Sequence, residues 1–96
     1  MEVPLIVYGR SSCDDTQQTI QHLKTFDVPF EYVDIDRDPQ GMQVVRNASG
    51  GVEKTPVVVL EGEDTITLVE PTIHELDQAL DLTGLRPTAR NRNNLS

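Results

Sequence analysis

The stretch Val7-Tyr8-Gly9-Arg10-Ser11-Ser12-Cys13-Asp14-Asp15-Thr16 constrains this chain more than any other. An apolar run stops there, a glycine turns the backbone, and a helix is expected to begin at the cysteine. Ser12 is placed to cap that helix, with Asp15 three residues on completing an S-x-x-D capping box. Backbone N–H groups at a helix N-terminus favour an anion, so a cysteine in the first turn is biased toward the nucleophilic thiolate.

The rest of the chain supplies alternating elements. Pro4 to Tyr8 reads as a buried strand with Pro4 tolerated at its start. Cys13 to Phe26 reads as a helix, with Ile20 and Leu23 inward and Gln17, Gln18, Gln21 and Lys24 outward; Pro29 prevents its extension. Phe30 to Asp36 is rich in β-branched and aromatic residues and reads as a second strand. Asp38-Pro39 opens a second helix, an Asp cap followed by a residue whose missing N–H would be unpaired anyway. Met42, Val45 and Ala48 face inward, and Gly50-Gly51 ends it. Pro56 to Leu60 and Thr65 to Val69 form a hairpin about the polar turn Glu61-Gly62-Glu63-Asp64. Thr72 and Glu75 make a capping box for a last helix with Ile73, Leu76 and Leu80 inward and Gly84 as its stop. A βαβ unit needs a parallel pair, and a hairpin adds antiparallel strands. The expectation is therefore an α/β fold of order β-α-β-α-β-β-α, a mixed four-stranded sheet flanked by three helices.

The 96 residues bound this to one domain, near the size at which a single core is marginal. The net charge of −8 argues against nucleic acid and anionic membranes as partners. All 16 acidic residues lie between Glu2 and Asp81, while Arg86, Arg90 and Arg92 follow without an acid, so the body alone is near −11. An acidic surface maintains solubility; the alternative is a preference for a basic partner. The first apolar run is too short for a membrane span and lacks the features of a signal peptide. One cysteine cannot form an internal disulfide, and a free thiol fits a reducing compartment, so a cytoplasmic protein is expected. The polar surface pattern points to a monomer, and residues 86–96 read as a disordered polar tail.

Strand, Val-Tyr, a basic residue, two small residues and a cysteine at a helix start resemble the active-site turn of the glutaredoxin family, which reads Val-Tyr-x-Lys-x-x-Cys-x-x-Cys. Here Arg10 replaces the lysine and Thr16 the second cysteine. Lys54-Thr55-Pro56-Val57-Val58-Val59 is similar to the second hallmark of the thioredoxin-like superfamily, a Thr-Val-Pro or equivalent whose proline is cis and faces the cysteine. Gly50-Gly51 and Glu70-Pro71-Thr72 resemble features of the mycoredoxin-like proteins. The resemblance implies a glutaredoxin-type thioredoxin fold over residues 1–85 and a thiol–disulfide oxidoreductase. It implies Cys13 as nucleophile, Arg10 and Thr16 as thiolate-stabilising groups, and Tyr8, Lys54, Thr55, Pro56 and Thr72 along a substrate groove.

With Thr16 in place of a resolving cysteine, the route left is monothiol. Cys13 would take the low-molecular-weight thiol of a mixed disulfide, and a second thiol from solution would resolve the adduct. Glutathione or mycothiol would serve as co-substrate, disulfide-containing proteins as substrates, and no metal or bound cofactor is called for. Asp14 and Asp15 oppose the thiolate and Arg10 favours it, so a thiol pKa at or below the free value of about 8.5 is expected. Two rivals stand: a redox-inactive binding module using the same groove, and an iron–sulfur carrier, which Asp14 and Asp15 disfavour beside an anionic cluster. His22 and His74 read as surface residues. Asp34-x-Asp36-x-Asp38 starts like a calcium loop, but Pro39 and Val45 stand where a glycine and a bidentate glutamate are needed.

Overall fold

The computed structural model describes residues 4–62 and 65–84. Part of the hairpin turn, Glu63 and Asp64, and the tail expected at 86–96 lie outside the described residues. The elements run β1 (Leu5–Gly9), α1 (Asp14–Thr25), β2 (Glu31–Asp34), α2 (Pro39–Ala48), β3 (Val57–Glu61), β4 (Thr65–Val69) and α3 (Ile73–Thr83). The strands form one sheet of order β2-β1-β3-β4. β1 pairs parallel with β2, Val7 opposite Tyr32, and antiparallel with β3, Val7 opposite Val58. β3 and β4 are antiparallel, Val58 opposite Leu68. This is the thioredoxin-like, glutaredoxin-type architecture that the element order implies.

Period-two alternation divides β1 between two cores. Leu5 and Val7 face α1 and α3 and pack with Leu23, Val58, Leu60, Leu76 and Leu80. Tyr8 faces the other way, toward α2, with Val45, Val57 and Ile35. Burying both faces of the central strands explains the near-continuous apolar runs there.

Local signals place two helix starts. Asp38 accepts hydrogen bonds from the N–H groups of Gln40 and Gly41 at 3.0 and 3.2 Å, with Pro39 at the first helical position. Thr72 accepts from the Glu75 N–H at 3.1 Å while its own N–H donates to the Glu75 carboxylate at 2.9 Å, a complete capping box. Gly84 closes α3 in the left-handed region at φ 73°.

Four expectations are corrected. Ser12 does not cap α1: the Cys13 N–H donates to the Arg10 carbonyl at 3.0 Å, this turn carries the chain past Ser12, and Cys13 itself becomes the N-cap. The buried face of α1 is built from Thr16, Thr19 and Leu23, with Ile20 only partly buried; a threonine's short side chain and methyl group allow it to occupy an interior position. Ile73 is exposed at the first position of α3, where Leu76, Ala79 and Leu80 make the buried face. His22 is not a free surface residue; its ring nitrogen lies 2.7 Å from the Asp77 carboxylate and ties α1 to α3. Among the described residues no helix is long and apolar enough to cross a membrane.

Among the described glycines, Gly9 at the end of β1 has the least room for a side chain. A Cβ on Gly9 would stand 2.5 Å from both the methyl and the hydroxyl of Thr16, which is fully buried. Gly9→Ala is expected to destabilise the fold by about 1–3 kcal/mol, read as a lower urea midpoint. A midpoint equal to the parent's would show that Thr16 has room to move.

Candidate functional site

Cys13 sits between the end of β1 and the start of α1, with extended backbone (φ −92°, ψ 119°) that ends the turn and lets the helix begin at Asp14. Across from it the chain entering β3 carries a cis Thr55–Pro56 bond. The thiol donates to the Thr55 carbonyl at 3.7 Å, a sulfur-length contact that joins residues 42 apart in sequence. Pro56 is fixed in turn, because its carbonyl accepts the Glu70 N–H at 2.8 Å. The thiol therefore meets the segment that enters β3, and it is half-buried.

Burial alone would raise the pKa of Cys13, yet the net direction is downward. The groups that overcome burial are the side chains of Thr16 and Thr55 and the backbone N–H groups of Thr16 and Asp15. Those two N–H groups occupy the second and third positions of α1, where an N-cap side chain normally accepts. The thiol makes no such bond while it is protonated and engaged with Thr55; the thiolate, an acceptor only, is the form these donors favour. Thr16 is well suited to this. Its hydroxyl oxygen accepts the Arg10 N–H at 3.4 Å, which leaves its hydrogen for the sulfur.

Arg10 is held elsewhere. Its Nε donates to Asp36 at 2.9 Å and its terminal nitrogen to Glu53 at 2.7 Å, while Arg46 binds the second Glu53 oxygen at 2.6 Å. The guanidinium expected at the sulfur is thus committed to two carboxylates, and it is not among the groups that shift the thiol. Neither are Asp14 and Asp15, whose side chains were expected to oppose the thiolate. Glu53 and Asp36 had no signal in the sequence, being 43 and 26 residues from the arginine they bind.

The groove residues separate. Thr55 and Pro56 are buried beside Cys13, and Lys54 is exposed next to them. Thr72 lines a 340 Å³ groove with Asp15, Thr19 and Glu70, between the start of α1 and the turn into α3. Its hydroxyl and N–H are already used by the capping box, so α3 offers a ligand less than its N-terminus suggests. Tyr8 does not join them. Its ring lies on the opposite face of the sheet, 3.5 Å from where a side chain on Gly41 would begin, and burial followed by Glu31, Glu61 and Asp38 raises its pKa. Tyr32, which the sequence offers only as a strand residue, has a buried hydroxyl without a hydrogen-bond partner among the described residues. Its pKa is raised by burial, then by Asp34, Asp36 and Cys13, so it lies within electrostatic reach of the thiol.

The three aspartates that start like a calcium loop have separate duties: Asp34 accepts the Asp36 N–H, Asp36 binds Arg10, and Asp38 caps α2.

Replacing Thr16 tests the hydroxyl directly. In Thr16→Val the midpoint of Cys13 alkylation against pH is expected to move up, and the alkylation rate at pH 7 to fall about three- to tenfold. Thr16→Ser keeps the hydroxyl and is expected to keep most of the reactivity. Equal loss in both variants would assign the effect to packing instead.

Comparison with known proteins follows the same lines. A family model described as Glutaredoxin matches residues 5–65. No curated protein sequence matches the chain. Among solved structures, the thioredoxin-like protein BC3987, crystallised as a point mutant, is similar at a TM-score of 0.69 and 24% identity, over 81% of this chain and 95% of that one. Wheat glutaredoxin is similar at a TM-score of 0.65 and 19% identity, over 92% of this chain and 82% of its own. A glutaredoxin from Archaeoglobus fulgidus follows at 0.50 and 26%, over 71% and 78% of the two chains.

Proposed function

The chain belongs to the glutaredoxin family, and from that premise we propose that it is a monothiol thiol–disulfide oxidoreductase in which Cys13 is the nucleophile. Family and fold support an oxidoreductase-like role. The observation that carries the finer reading is the convergence of Thr16, Thr55 and two backbone N–H groups on the one cysteine, against the cost of its partial burial.

The reaction runs in two exchanges. The Cys13 thiolate attacks one sulfur of a mixed disulfide; a new Sγ–S bond forms as the old S–S bond breaks, and the departing thiolate takes a proton from water. Cys13 is now oxidised and the released thiol reduced. Thr16 occupies the place of a second cysteine and cannot attack, so a second small thiol must. Its thiolate bonds to the captured sulfur, and Cys13 leaves as a thiolate that the same donors stabilise. Lowering the leaving thiol's pKa speeds this second exchange as well. The co-substrate in this reading is a low-molecular-weight thiol, with disulfide-bearing proteins as the other substrates, and the compartment is the cytoplasm. Thr55 and Pro56 form the wall against which the mixed disulfide lies, with Lys54 and Thr72 at its margins.

The test is intact mass after incubation with a small mixed disulfide, then with excess small thiol. One adduct is expected, absent in Cys13→Ser and removed by the second thiol. Failure to form an adduct with any small disulfide would overturn the proposal in favour of a binding module without turnover.

A further inference from the structure

Resting on that reading of Cys13, we infer that the site selects its disulfide by charge, taking one flanked by positive charge and disfavouring anionic thiols such as glutathione. Three observations lead there. The first concerns Arg10, the cation nearest the thiol in sequence. It is matched by Asp36 at 2.9 Å and Glu53 at 2.7 Å, and Glu53 also holds Arg46 at 2.6 Å. Two arginines and two carboxylates make a neutral cluster, and a ligand carboxylate would have to displace Glu53 from both arginines to bind there.

The second is what remains unpaired. Asp14 and Asp15 are exposed in the first turn of α1, and Glu70 is exposed where the chain leaves β4. None of the three has an ion pair among the described residues; Lys54, exposed in the segment before Thr55, is without one too. Asp15 and Glu70 share the 340 Å³ groove, and the Glu70 N–H binds the carbonyl of Pro56, the residue after the one the thiol contacts. The groove therefore shares Asp15 with the helix turn that follows Cys13, and two carboxylates line it.

The third is that these carboxylates are not among the groups that shift Cys13, whose activation comes from hydrogen bonds. The rim acts on the incoming ligand while the hydroxyls and N–H groups act on the sulfur, so an acidic rim and an activated thiol coexist. In water-like dielectric one carboxylate about 8 Å from a unit positive charge favours it about twofold, and three opposed by one lysine give about fivefold at low salt.

The exchange is the one already written, with the positive charge on the disulfide attacked and a neutral small thiol closing the cycle. The positive charge can come from an aminothiol disulfide or from basic residues beside a cysteine in a polypeptide. The test measures the rate of Cys13 adduct formation with cystamine, hydroxyethyl disulfide and oxidised glutathione, each divided by its rate with 2-mercaptoethanol to remove intrinsic reactivity. A second series uses two peptides that differ only in Lys or Glu beside a cysteine joined to the same small thiol. The expected order is cationic over neutral over anionic, about fivefold per step and so spanning about 25-fold at low ionic strength, and collapsing near 0.5 M salt. Asp15→Asn with Glu70→Gln is expected to shrink the cationic-to-anionic ratio. A lysine peptide faster than cystamine would assign the natural source to a polypeptide, and the reverse to a small aminothiol. Equal normalised rates, or a preference for glutathione, would overturn the inference while leaving the oxidoreductase reading intact. Reaction with none of the probes would overturn both.

Discussion

The buried hydroxyl of Thr16 is the contact on which the site depends. It lies under the turn that carries Cys13, accepts the Arg10 N–H at 3.4 Å, and fills the space that a side chain on Gly9 would need. One residue thereby fixes the approach of α1 to β1 and donates toward the sulfur. A neutral hydrogen-bonded hydroxyl tolerates complete burial where a charge would not, so the thiol pKa is lowered without placing an ion in the core. The position that would carry a second cysteine is thus occupied by a group with both structural and electrostatic consequences.

From this anchor the sheet supplies the other half of the site. Pairing β1 with β3 brings the segment before β3 to the end of β1, and that segment presents Thr55 to Cys13. Pairing β3 with β4 brings Glu70 to Pro56. The sulfur contact, at 3.7 Å, is weak by itself, whereas the Glu70–Pro56 bond at 2.8 Å is of ordinary strength. Their geometry is held by the apolar packing of Val7, Val57 and Val58 on both faces of the sheet, and that burial sets where the thiol points.

Much of the fold was legible because its signals are local. β4 runs over Thr65–Val69, the arm expected after the polar turn at 61–64, and the Asp38-Pro39 and Thr72–Glu75 helix starts are where their capping chemistry puts them. Ser12 misled for an equally local reason: two adjacent residues competed for the cap, and the Arg10–Cys13 turn decided it. Thr16 and Thr19 were hidden by counting hydroxyl residues as polar, although both are buried on the inner face of α1. Tyr8 could have been assigned from the same alternation that buries Val7, which sends neighbouring residues to opposite faces. The partners of Arg10 and His22 could not, because they are brought by tertiary folding from distant parts of the chain. Charge near a cysteine in sequence was a poor guide to charge at its sulfur.

The central claim is that hydrogen bonds from Thr16, Thr55 and the first turn of α1 outweigh burial at Cys13. Alkylation rate against pH, with intact mass confirming a single modified residue, measures this most directly. A midpoint clearly below the free-thiol value of about 8.5 is the predicted result. A midpoint at or above that value would contradict it, leaving burial as the dominant influence and the cysteine without the activation that the oxidoreductase reading requires.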